Sequence, residues 1–133
     1  MDESEAAMLV RAFVAPERQE RYLTLLGSER GRVKMRATLA HFRDLGPQFT
    51  HALPTNVLSA ESLMVLLRRK GAPAECYLFA EEGVLDDRRM PLADALKAVV
   101  GRGQGVFVSC LPGRLAYFEG EDVGARYVLE RDV

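Results

Sequence analysis

Cys110, Arg114, Tyr117 and Glu119 fall within one short stretch, VSCLPGRLAYFEGE at residues 108–121, and between them supply a thiol, a cation, a phenol and a carboxylate. A thiol attacks only as thiolate, so a nucleophilic Cys110 needs Arg114, Arg88, His41 or His51 brought beside it by the fold. Standing between Val108 and Leu115 on the expected hairpin, it reads first as a small core hydrophobe. A thiol enzyme with Tyr117 and Glu119 as helpers is the alternative reading.

Glu119, Glu121 and Asp122 surround Gly120, and grouped carboxylates can exchange protons or hold a hard cation. Their spacing lacks the ligands and the closing glutamate of an EF-hand, so the segment reads as a solvated acidic turn. Two cysteines without a CxxC and two histidines ten residues apart build no metal site, and no metal is expected. GRGQG (residues 101–105) resembles a phosphate loop only in its glycines. It follows a helix and enters a strand, the reverse of a dinucleotide or P-loop context, so no cofactor is expected.

Two groups of arginines remain. In LDDRRMP, Asp86 and Asp87 adjoin Arg88 and Arg89, and guanidiniums pair with phosphate or carboxylate ligands. Neighbouring opposite charges satisfy one another first; a bound small anion would be held by Arg88 and Arg89 with Arg114. Arg32, Arg36 and Arg43 fall within about 40° of one another on a helical wheel and form the nucleic-acid candidate. A net charge of −1 and a pI near 6.1 argue against that partner and for a solvated face or a seam toward an acidic one. Arg68, Arg69 and Lys70 close a helix, where cations meet the negative end of its dipole.

The positioning elements follow from period and punctuation. Helices are expected over residues 4–14, 16–26, 28 to about 44, 59–70 and 91–100, with Ser28 and Ser59 as caps and Pro16 in a first turn. FTHAL is a short, extended connector. After residue 75 the period shortens: ECYLFAEE and VLDDRRM read as a hairpin through Gly83, and GVFVSCL, RLAYFEG and ARYVLER as three further strands. If Pro112 and Gly113 are the central turn residues, Leu111 faces Arg114, Cys110 faces Leu115, Ser109 faces Ala116, and Val106 faces Glu119. That ladder is apolar on both faces and has to be covered twice, by helices on one side and by further helix or a second subunit on the other.

The expected fold is therefore one α+β domain over residues 1–133, its helical N-terminal half packed on a mostly antiparallel twisted sheet of about 4–5 strands from residues 75–131. The acidic N-terminus reads as no secretory leader, no apolar run is long enough to span a bilayer, and two cysteines in apolar runs suit a reducing, cytoplasmic setting. Residues 1–70 are net basic and residues 71–133 net acidic, a polarity compatible with a homodimer. With no complete catalytic constellation, the expected function is a non-enzymatic binding or regulatory module for a protein or small-ligand partner. The thiol enzyme is second and a weak nucleic-acid binder third.

Overall fold

Side chains at the helix starts do what their spacing implies. In the computed structural model, which describes residues 4–122 and 124–131, the Ser4 hydroxyl accepts from the Ala7 amide at 3.1 Å and opens α1 (Glu5–Phe13). Pro16 sits in the first turn of α2 (Pro16–Leu26), where its missing N–H has no partner to lose. Ser28 accepts from Gly31 at 3.0 Å at the head of α3 (Glu29–Arg36). Ser59 and Ser62 form a reciprocal capping box before α4 (Ala60–Arg69), and α5 (Leu92–Val99) follows Pro91. Asp2 and Glu3 of the acidic start and Val123 of the acidic turn lie outside the described residues.

The third helix is shorter than its pattern. It ends at Arg36 instead of near Asp44, and a turn of 3-10 helix follows at Leu39–His41. One local and one tertiary bond compete for the backbone there: the Thr38 hydroxyl donates to the Met35 carbonyl at 2.7 Å, and the Ala40 carbonyl accepts from the Glu121 amide at 2.8 Å. Gly105 permits the approach, since a Cβ on it would lie 2.2 Å from the Ala40 nitrogen.

Among the described residues six strands form one antiparallel sheet in the order β1-β6-β5-β4-β2-β3, with β1 at Thr50–Ala52, β2 at Glu75–Ala80, β3 at Arg88–Pro91, β4 at Val106–Leu111, β5 at Leu115–Glu119 and β6 at Arg126–Glu130. The α+β class holds, and the strand count is corrected upward: β1, from the THA of FTHAL, pairs with β6 as His51 opposite Val128. The β2–β3 link is also longer than a turn at Gly83. The amides of Leu85 and Asp86 bond back to the Glu82 carbonyl at 3.1 and 3.0 Å, and β3 begins only at Arg88.

The β4–β5 turn has Pro112 and Gly113 at its centre, with the Arg114 amide donating to the Leu111 carbonyl at 2.9 Å and Gly113 at φ 72°. From Val106–Glu119 to Ser109–Ala116 the register is the expected one. It then shifts at a bulge, so that Leu111, not Cys110, lies opposite Leu115.

Both sheet faces are covered by helices of the same chain. Leu63, Leu67, Leu92 and Leu96 of α4 and α5 pack on Leu78, Val106, Val108, Tyr117 and Val128. On the other face Leu9, Val10 and Phe13 of α1, Tyr22 of α2 and Met35 of α3 pack on Phe79, Phe107, Phe118 and Leu129. The alternating apolar residues of β4 and β5 feed these two cores in turn, each large side chain contributing about 1.5–3 kcal/mol on burial. Among the described residues no helix is long and apolar enough to cross a membrane.

Candidate functional site

The thiol singled out by the sequence is inside the molecule. Cys110 is 4% exposed in the α4–α5 core, its Sγ lies 3.9 Å from the Val108 carbonyl, and burial pushes its pKa up to about 12. That direction is opposite to the one that makes a thiolate at neutral pH. Arg114, one of the cations that the nucleophile reading would need, is exposed in the turn beyond β4.

The arginines are likewise placed by partners that the sequence did not pair. Arg32 bonds bidentately to Asp86 at 3.0 and 3.2 Å, donates to the Tyr77 hydroxyl at 2.9 Å, and lies over the Phe79 ring. Arg36 donates to the carbonyls of Ala80 and Glu81, each at 2.9 Å. Tyr77 passes its own proton toward Asp87 at 2.7 Å, and its pKa is raised by burial and by that bond. Arg32 and Arg36 thus strap α3 to the 81–87 loop, while Arg43, past the end of α3, reaches Asp122 at 3.1 Å; the three share no helical face. Asp86 takes its guanidiniums from α3, and Arg89 pairs with Glu5 of α1. Arg88 and Arg89 on edge strand β3 are separated from Arg114 by β2 and β4, so the expected anion triad is not assembled.

At the end of the sheet where β5 turns into β6, the groups do converge. Glu119 is 1% exposed, and its two oxygens accept from the amides of Gly101 at 3.1 Å and Gly103 at 2.9 Å and from the Tyr117 hydroxyl at 2.6 Å. Arg126 on β6 stands 3.6 Å away. Burial first, then the bond to Glu119 and its charge, raises the Tyr117 pKa and keeps the phenol protonated. Positive φ at Gly101 (82°) and Gly103 (69°) turns their amides inward, so the glycine loop does cradle an anion, and the anion is the protein's own carboxylate.

Glu119 and Arg126 line a hollow of about 430 Å³ together with Leu53, Pro54, Val57 and Leu58. Leu58 is 73% exposed, while Val57 before it is buried. On the far side of the same turn a second hollow of about 510 Å³ is lined by Phe42, Thr50 and Tyr127. The acidic turn between them is braced by His41 on Glu121 at 2.8 Å and by Arg43 on Asp122. His51 stays on edge strand β1.

Arg126 and Leu58 were not singled out by the sequence, and no local pattern marks them: one is a strand residue among others, and the other precedes a helix cap. Among the described residues no group of three or more His, Cys, Asp or Glu side chains is placed to hold a metal ion. Compared with known protein families, characterised proteins and solved structures, the chain matches none.

Proposed function

We propose that the protein is a binding module whose protein or small-ligand partner seats in the hollow beside Glu119. The observation that carries this reading is a hollow of about 430 Å³ lined both by apolar Leu53, Pro54, Val57 and exposed Leu58 and by polar Glu119, Glu121, Asp122 and Arg126. Ligand sites combine an apolar surface with a few fixed polar groups in volumes of roughly 300–1,000 Å³. Here Glu119 is fixed before any ligand arrives by two backbone amides and by Tyr117, and since it is only 1% exposed, the part-exposed Arg126 beside it is the group a ligand reaches. Pre-ordering reduces the entropy lost on binding. Two free thiols in the core suit a reducing, cytoplasmic setting, and a homodimer remains part of the proposal, to be read by sedimentation.

The test is a fragment set of small aromatic, amine and carboxylate compounds, followed on the amide spectrum of the labelled protein. Shifts grouped at Leu53, Leu58, Gly101, Gly103 and Arg126, and lost in Leu58→Glu, support the site. Shifts grouped elsewhere, or unchanged by Leu58→Glu, move the function away from it.

A further inference from the structure

Cys76 and Cys110 are free, buried and part of the same α4–α5 core, on adjacent antiparallel strands. The β2–β4 ladder ends with Tyr77 opposite Ser109, and Cys76 and Cys110 are the next residues of the two strands, just past that last pair. At the other end of the ladder the Glu81 amide bonds to the Gly105 carbonyl at 2.9 Å, in the same register. Opposed pairs alternate between bonded and non-bonded, so Tyr77 and Ser109 form a bonded pair and the two cysteines fall on a non-bonded position. A ladder continued by that one step would bring the opposed Cα atoms to about 4.5 Å, within the ~4.4–6.8 Å that a disulfide spans; the Cys76 thiol, 3.6 Å from the Met90 carbonyl of β3, has to turn toward β4 to reach Cys110. Cys110 is the residue at which β4 shifts register, and its side chain lies in the core that holds Cys76.

We propose that Cys76 and Cys110 are a redox pair which a small disulfide oxidant, such as oxidised glutathione, converts into an intramolecular cross-strand disulfide clamping β2 to β4. One cysteine loses its proton and attacks the oxidant's S–S bond, forming a mixed disulfide and releasing one small thiolate. The second cysteine, also deprotonated, attacks the protein sulfur of that mixed disulfide and releases the other. The two protons lost by the cysteines end on the two small thiols, and the two electrons have passed to the oxidant. Burial pushes both thiols up to about 12, so the reaction is slow at neutral pH and accelerates about tenfold per pH unit as thiolate forms.

The folded wild-type protein is incubated with oxidised glutathione for a day at pH 7, 8 and 9, quenched with acid, unfolded, alkylated and weighed intact. The expected product is a monomer lighter by two hydrogens that takes no alkyl group, forms faster at higher pH, melts at a higher temperature and reverts with dithiothreitol. Two alkylated thiols after a day at pH 9, a persistent glutathione adduct, or disulfide-linked dimers would each overturn the proposal. Cys76→Ala is the control in which the light monomer cannot form.

Discussion

Arg32 and Asp86, 54 residues apart in the chain, are joined by two hydrogen bonds that fix α3 to the loop between β2 and β3. The Asp86 side chain is 8% exposed and also faces Arg36 at 3.4 Å. Removing it takes the buried counter-charge from Arg36 and leaves Arg32 only the exposed Asp87 at 3.7 Å, and breaking a buried pair from one side typically costs 3–5 kcal/mol. Because Arg32 keeps partial contact with water, Asp86→Ala is expected to cost about 3 kcal/mol, read as a lower midpoint of denaturant unfolding. A double-mutant cycle with Arg32→Ala should show strong coupling. The exposed Arg43→Ala should stay within about 0.5 kcal/mol of wild type, and is therefore the substitution that tests phosphate binding without unfolding the chain.

Gly105 and Gly124 make a matched pair for packing. A Cβ on Gly105 meets the backbone of Leu39 and Ala40 at 2.2 Å, while one on Gly124 meets nothing within 4 Å. Gly105→Ala is expected to lower stability by about 3 kcal/mol or more, since backbone and not a flexible side chain has to yield. Gly124→Ala should be close to neutral. Equal melting temperatures for the two variants would show that the 39–41 turn does not press on the sheet.

Tyr117 and Glu119 tie the 101–105 loop to β5. Tyr117→Phe removes one bond to the carboxylate and is expected to cost about 1 kcal/mol. Glu119→Gln turns an N–H₂ group toward the donors of Gly101, Gly103 or Tyr117 and is expected to cost about 2–3 kcal/mol. Hydrogen exchange should speed at Gly101 and Gly103 in Glu119→Gln and leave the α1–α3 face unchanged.

Cys76 and Cys110 also set the alkaline limit. In the unfolded chain they ionise near pH ~8.5, whereas burial in the native state pushes both up to about 12. Their contribution to stability is therefore complete below about pH 8.5 and is lost as pH rises toward 12, by up to about 1.4 kcal/mol per pH unit for each thiol. Chemical denaturation at pH 8 and 9.5 should show this fall, and Cys110→Ala should flatten it. Alkylation of native Cys110 at pH 8 should be slow and become fast on unfolding; fast native labelling would place the thiol at the surface.

Much of the architecture is legible in local patterns. Ser28 and Ser59 mark helix starts because a cap answers to the backbone amides next to it in sequence, and Pro16 marks one because a first turn tolerates its missing N–H. The Pro112-Gly113 turn and the ladder from Val106–Glu119 to Ser109–Ala116 follow from fixed φ values and a period of two. That both faces are covered follows from the apolar character of β4 and β5; that helices of the same chain, and not a second subunit, cover the second face came from the tertiary structure.

What the sequence could not set were the contacts between distant segments. Helical period carries α3 on toward Asp44, but the Ala40 carbonyl is claimed by Glu121. Asp86 lies beside Arg88 and Arg89 in the chain, yet its partners are Arg32 and Arg36. The glycine loop faces Glu119, and the exposed Leu58 beside it becomes part of a hollow only once β1, β5 and β6 meet. Helix, strand and turn propensities are settled within a few residues. The protonation of Cys110, the pairing of the arginines and the hollow beside Glu119 depend on burial and on charges brought together across the fold, which only the tertiary structure decided.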